Sequence, residues 1–259
     1  MAPPASTGLR RAAPAIVTVA ALVAVWQIYV ELSGIRPQLL PSPSRVAEQG
    51  WAHRSEIGVH AAATLQVTLI GFGVSLVLAW VLAIIVDFSP VLRRAFVPLF
   101  VASQTLPIIA IAPLMVIWFG FGVLPKVLVI ALVTFFPMAI GLIEGFAAAD
   151  REAGALLRSM GATRRQIFRY VRLPSALPRF FTALRIGITY AVVGAVFAEY
   201  VGATQGLGIY MSLQKNSFRT DLVLAAVLVT ALVSVSLYLL TFAVERVVAP
   251  WARAEKAPS

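Results

Sequence analysis

Between Arg158 and Pro178 the chain reads RSMGATRRQIFRYVRLPSALP, with five arginines and no acid. Arginine stays protonated and grips carboxylates or phosphates; it makes no covalent bonds, so the chemistry on offer is recognition. The order of the residues points to a built element. Glu152 to Met160 can form a short helix, and Gly161 suits the left-handed position that closes one. Thr163-Arg164-Arg165-Gln166 fits a capping box, with Thr163 as N-cap and Gln166 at N3, and Ile167 can staple back onto Ala162. A second helix should run to about Arg172 and stop near Pro174. Along it Ile167, Tyr170 and Val171 share one face, and Arg165, Arg169 and Arg172 another. Two plainer accounts explain the charge alone: arginines that enforce topology, and arginines that touch anionic lipid head groups. Neither requires a glycine turn, a capping box and an apolar stripe in one loop. A docking element for a soluble partner requires all three.

Other chemistries find little support. The chain has no cysteine, which excludes disulfides, thiol nucleophiles and thiolate metal sites. His53 and His60 are its only histidines, and there is no His-Glu-x-x-His zinc motif and no Gly-x-x-x-x-Gly-Lys-Ser/Thr phosphate cradle. An intramembrane enzyme is therefore a weak reading. An ion-driven secondary transporter is the other alternative, but Asp87, Glu144 and Glu199 fall near the ends of apolar runs and no halves repeat.

The elements that hold these residues are apolar. Of 259 residues, 60% are hydrophobic and 12% charged, too few charges to cover a soluble body of this size. Runs at 14–31, 61–86, 96–119, 125–145, 180–200 and 222–243 each suffice for a helix across a hydrocarbon core that needs about 20 residues. Period-two alternation is absent, which argues against a barrel. The expectation is an all-α integral membrane protein of about six spans, the first an uncleaved helix. The third run holds Pro98, Pro107 and Pro113 and is expected to kink; Ser103, Gln104 and Thr105 beside it are candidate pathway residues. Arg185 is expected to snorkel to the near membrane edge. Glu199, at the other end of that span, is a candidate outer gate, contact for an external protein, or interfacial ion pair. Gly202 to Gly208 reads as a flexible outer loop. Ser42 and Pro43 can start a short outer helix, with Trp51 as an interfacial anchor.

With the N-terminus inside, inner segments hold fourteen Lys and Arg, seven of them within 146–179, and outer segments six. Both termini and the arginine loop are thus expected in the cytoplasm. The net charge of +10 reflects that bias and not nucleic-acid binding. The organisation expected is a tail at 1–13, a transmembrane domain at 14–245 with its loop at 146–179, and a tail at 246–259.

The loop resembles the cytoplasmic signature of importer-type ATP-binding-cassette permeases: Glu-Ala-Ala, three residues, Gly, nine residues, Ile, one residue, Leu-Pro. Gly161, Val171 and Leu173-Pro174 keep that spacing. Ala155-Leu156-Leu157 occupies the Glu-Ala-Ala positions, with Glu152 three residues earlier. LLPSPSRV at 39–46, APLMVIWFGFG at 112–122, FFP at 135–137, AEYVGATQGLG at 198–208 and FRTDLVLA at 218–225 are similar to the nitrate, sulfonate and taurine subfamily. The ending LYLLTFAVERVVAPW leans toward members that carry a thiamine-pyrimidine precursor or riboflavin. The resemblance implies a type I importer permease fold in a bacterial inner membrane. It implies a second permease copy, an ATPase dimer that holds the ATP and Mg, and an extracytoplasmic binding protein that delivers a small organic solute or anion. It also implies that Glu152, Ala155, Gly161, Thr163, Ile167, Tyr170, Val171, Leu173 and Pro174 couple to the ATPase. No cofactor is expected on this chain.

Overall fold

Long apolar runs without alternation fold as helices because each N–H and C=O then finds its partner within the same segment. The computed structural model describes residues 6–251, with side chains from residue 13 onward, and no strand occurs among them. The helices are α1 (Ser6–Ser33), α2 (Pro43–Ala52), α3 (Arg54–Phe88), α4 (Pro90–Ser103), α5 (Ile108–Phe119), α6 (Val123–Ala147), α7 (Arg151–Ser159) and α8 (Arg164–Ile167). A π turn (Phe168–Arg172) then leads into α9 (Leu173–Gly202), α10 (Leu207–Asn216) and α11 (Thr220–Val248). Five stretches are long and apolar enough to cross a membrane, and six if the α4–α5 pair counts as one crossing. Of the expected tails at 1–13 and 246–259, residues 1–5 and 252–259 fall outside the described residues, while 6–13 belong to α1 and 246–248 to α11.

The third run is broken and not merely kinked. α4 and α5 meet at 100°. Gln104 caps α4, and two tight turns follow, from Thr105 N–H to Ala102 O and from Leu106 N–H to Ser103 O. Pro107 stands immediately before α5. It has no N–H to continue the ladder, and its ring drives Leu106 out of the helical region. Pro98 and Pro113 lie inside their helices without breaking them.

Contacts divide the chain into two units. The larger comprises Val59–Ile209 and the chain from Val229 on. Its centre is the packing of α6 on α9, which depends on small residues. A Cβ at Gly141 would lie 2.5 Å from Ala183 Cβ, and one at Gly145 2.9 Å from Ala176 Cα. Gly141 and Gly145 form a Gly-x-x-x-Gly pair, so two backbones meet along one stripe, where dispersion contacts replace the weak hydrophobic drive available in lipid. Ala79 and Ala83 of α3, Met138 and Leu142 of α6, and Phe180 and Phe181 of α9 close the core around it. The Trp80 ring meets Phe146 at 6.3 Å and Phe180 at 5.0 Å, both edge-on.

Arg185 does not snorkel. It is buried, forms an ion pair with Glu245 of α11, and lays its guanidinium 3.9 Å from the Phe242 ring centroid. A charge buried in a helix bundle is held more cheaply by an acid and an aromatic face than by an extended reach to water.

The smaller unit comprises the chain up to Gly58 with Tyr210–Leu228. The expected short helix is present: Ser42 caps α2, accepting from Arg45 N–H at 3.3 Å, with Pro43 in its first turn. Asp221, buried, accepts from Arg45 at 3.1 Å and Arg219 at 3.3 Å. Trp51 is exposed, with the Arg54 guanidinium over its ring.

Candidate functional site

The arginine-bearing loop is a fully bonded helix–turn–helix. Asp150 Oδ1 accepts from Glu152 N–H at 2.8 Å and Ala153 N–H at 3.3 Å, which fixes the start of α7. At its end Gly161 N–H donates to Arg158 O and Ala162 N–H to Leu157 O, at 3.0 and 2.9 Å. This paired closure places Gly161 in the left-handed region, at φ +83°. The capping box is complete: Gln166 N–H reaches Thr163 Oγ1 at 3.3 Å, and Thr163 N–H reaches Gln166 Oε1 at 2.7 Å.

Beyond the box the structure departs from expectation in two ways. The second helix does not stop near Pro174. The π turn sends Leu173 N–H back to Phe168 O, and Pro174 sits in the first turn of α9, where a missing N–H costs nothing. The π turn also advances fewer degrees per residue, so the faces shift. Phe168 takes the inward position expected for Tyr170 and packs against Phe88 at 5.5 Å and Phe146 at 5.2 Å. Ile167 and Val171 stay half-buried beside it, and Tyr170 points out, 66% exposed. Arg172 leaves the arginine face to form an ion pair with buried Asp87.

Glu152, Ala155, Gly161 and Thr163 are exposed on this element; Leu173 and Pro174 are half-buried at the root of α9. Sequence reasoning missed Leu156 and Met160, which are 63% and 73% exposed. Large apolar side chains left exposed on a loop are features of surfaces that meet a protein partner, and Tyr170 is exposed as well. Their unsatisfied apolar character in an otherwise arginine-rich loop was the available signal.

Ser103 and Gln104 line a cavity of 170 Å³ with Phe136 and Pro137 of α6 and Tyr190 of α9. Through Gln104, Pro137 and Tyr190 it adjoins a wider one of 620 Å³ that reaches Glu144 and Arg179. Thr105 is not part of this wall; its hydroxyl bonds back to Ala102 O at 2.7 Å.

Glu199 belongs to neither cavity. It is fully buried and serves the start of α10. Its Oε2 accepts from Gly208 N–H and from Thr64 Oγ1, each at 2.9 Å. Thr64 Oγ1 in turn accepts from Leu207 N–H at 2.8 Å, and His60 Nδ1 from Gly206 N–H at 3.1 Å. Three successive backbone donors are thus held by three side chains from α3 and α9. Glu199 has no ion pair among the described residues, and of the stretch expected to be a flexible loop Gly206 to Gly208 are buried while Thr204 and Gln205 are exposed. A helix start buried in apolar surroundings needs acceptors for its free N–H groups, and Glu199, Thr64 and His60 provide them.

This arrangement makes a checkable prediction. Glu199→Leu strands one buried donor, Gly208 N–H, while the Thr64 hydroxyl keeps the His60 carbonyl 3.2 Å away, and it lowers stability by roughly 1–3 kcal/mol for the lost partner. Glu199→Gln keeps an acceptor in place and should lose under about 1 kcal/mol. Thermal unfolding of the purified protein in detergent reads both, and equal losses would contradict the capping role.

Comparisons with known proteins fit this geometry. The family profile described as "Binding-protein-dependent transport system inner membrane component" matches residues 71–254. The formylaminopyrimidine transport permease protein ThiX of Halalkalibacterium halodurans is 36% identical over 231 residues, covering 89% of this chain and 92% of its own. The riboflavin transport system permease protein RibX of Chloroflexus aurantiacus is 38% identical over 237 residues, covering 91% and 88%. The taurine transport system permease protein TauC of Escherichia coli is 33% identical over 250 residues, covering 93% and 90%. Among solved structures, an amino acid ABC transporter chain shares the fold with a TM-score of 0.60 at 16% identity, over 77% of this chain and 95% of that one.

Proposed function

Since this chain belongs to the inner membrane components of binding-protein-dependent transport systems, and is thus a pore-forming permease subunit of an ATP-binding-cassette importer, we propose how it is assembled and driven. Two copies form the pore, an ATPase dimer binds ATP and Mg beneath them, and an extracytoplasmic binding protein delivers the cargo. Both termini and the loop at 146–179 lie in the cytoplasm, as the Lys and Arg distribution favours. The chain itself is not an enzyme; its work is to open alternately to the two sides.

The observation that carries this reading is the loop from Asp150 to Arg172. It is rigid by its own hydrogen bonds, it rests on the ends of α3 and α6 through Phe168, and it presents Leu156, Met160 and Tyr170 outward. When the ATPases close on ATP, such an element transmits their movement because it cannot bend. Ala155, Gly161, Thr163 and Glu152 form its outer surface; Ile167, Val171, Leu173 and Pro174 join it to the span.

A reading of the cargo is supported by the cavity of Ser103, Gln104, Phe136 and Tyr190, whose own lining holds no carboxylate, lysine or arginine. An aromatic ring finds there a phenyl face, a phenol and an amide, and Arg179 of the adjoining cavity can answer an acidic substituent on it. Relatives named for formylaminopyrimidine and riboflavin transport agree with a small heteroaromatic solute.

Gentle affinity purification from the native membrane tests the assembly. An ATPase and a binding protein should co-purify, and mass spectrometry of small molecules held by that binding protein should find a small heteroaromatic compound. Repeated recovery without any ATPase would end this reading.

A further inference from the structure

Where the loop meets the membrane domain, two clefts of 460 and 480 Å³ lie on either side of a wall formed by Arg158, Ile167 and Arg172. Arg164 lines the first and Arg93 the second. Among the described residues, Arg93, Arg158 and Arg164 have no acidic partner; only Arg172 is answered, by Asp87. Arg151 also lines the second cleft, so arginines outnumber acids three to one in the first, where the acid is Asp87, and four to one in the second, where it is Asp150. The surplus is therefore positive.

The position of the clefts matters as much as their charge. Phe88, the last residue of α3, lines the first; Phe146 and Ala147, the last turn of α6, line the second. Both apolar spans end there, and with the loop in the cytoplasm, as proposed above, the end of a span lies near the depth of lipid phosphates. The floor is aromatic and the rim is guanidinium, an amphipathic pairing that fits a head group with its glycerol and upper acyl carbons. The outward arginines of the loop, Arg165 and Arg169, lie in neither cleft.

We propose that these clefts bind the phosphodiester of an anionic phospholipid from the cytoplasmic leaflet, so that bound lipid braces the loop against the spans. The proposal rests on the cytoplasmic placement of the loop under "Proposed function" and not on the ATPase. A soluble anion such as inorganic phosphate offers the same charge but nothing for the aromatic floor.

The test is native mass spectrometry of the purified permease after exchange into mixed micelles with phosphatidylglycerol or phosphatidylcholine. Phosphatidylglycerol should remain bound and phosphatidylcholine should not. Arg93→Gln and Arg158→Gln should each weaken retention about fivefold, the loss expected for one basic charge at a membrane surface. Arg158→Lys, which keeps the charge, should retain most of it and so separates binding from folding. Equal retention of the two lipids, or undiminished retention by both glutamine variants, overturns the proposal. Displacement of phosphatidylglycerol by millimolar inorganic phosphate overturns it in favour of a soluble-anion site. Lipid counts are read on the permease itself, so a missing ATPase leaves this result intact and bears only on the coupling reading.

Discussion

Gly161→Val should insert normally, fold, and lose transport-coupled ATP hydrolysis. At φ +83° this backbone position suits glycine, and a Cβ there would meet nothing within 4 Å. The penalty is therefore one of backbone conformation and not of collision. It amounts to about 1–2 kcal/mol for an ordinary residue and more for a β-branched one. The core of the membrane domain is untouched, so the cost is met locally by opening the turn, and α7 loses its fixed angle to α8. Thr163→Ala supplies the graded control: it removes one acceptor of the capping box and costs about 1 kcal/mol of local helix stability. Its coupling should fall only partly. The measurement is substrate-stimulated ATPase activity of the reconstituted complex. Full stimulation in Gly161→Val, with the ATPase bound as tightly as before, would mean that the turn does not transmit the stroke.

Gly145→Leu should yield no folded permease at all. Its Cβ would sit 2.9 Å from Ala176 Cα and 3.0 Å from the Ala176 carbonyl oxygen, and backbone cannot swing aside as a side-chain tip can. The remaining carbons of leucine would prise α6 from α9 along the seam that organises the larger unit. Overpacking a core costs roughly 1–3 kcal/mol when side chains can yield, and more when they cannot. Gly141→Ala is the lesser test, with a Cβ 2.5 Å from that of Ala183. Recovery of monodisperse protein and its resistance to limited proteolysis report the outcome. A Gly145→Leu protein that is monodisperse and transports would show that the α6–α9 seam is not packed as described.

These two glycines illustrate how unevenly the chain could be read. Gly161 was legible because its role is settled by neighbours: a helix before it, Thr163 and Gln166 after it, all within one stretch of chain. Gly145 was not, although its spacing from Gly141 was a visible signal, because a Gly-x-x-x-Gly pair states only that some helix can approach closely. The partner, α9, is known only once the chain is folded. Phe168 took the inward place expected for Tyr170 for a related reason. The face of a helix is inferred from regular winding, and one π turn, adopted where Phe168 docks onto Phe88 and Phe146, resets the count for every residue after it.

Polar residues in the spans were the least readable. Arg185 and Glu245 lie 60 positions apart, and Thr64 and Glu199 lie 135 apart. Each alone looked like an interfacial charge or a gate; together they are an internal ion pair and a helix cap. Buried polar groups must find partners, but the requirement says nothing of where in the chain those partners are.

Sequence by itself determined the helical class, the number of crossings to within the broken pair, the helix–turn–helix loop and its capping, and the family. All of these come from run lengths, charge distribution and hydrogen bonds between near neighbours, which are local sums. Only the tertiary structure decided which spans touch, what Glu199 and Arg185 are for, where α4 turns into α5, and which side chains the loop presents outward. Those depend on packing between segments remote in the chain, where close approach and unmet hydrogen bonds select one arrangement among many that the same local pattern allows.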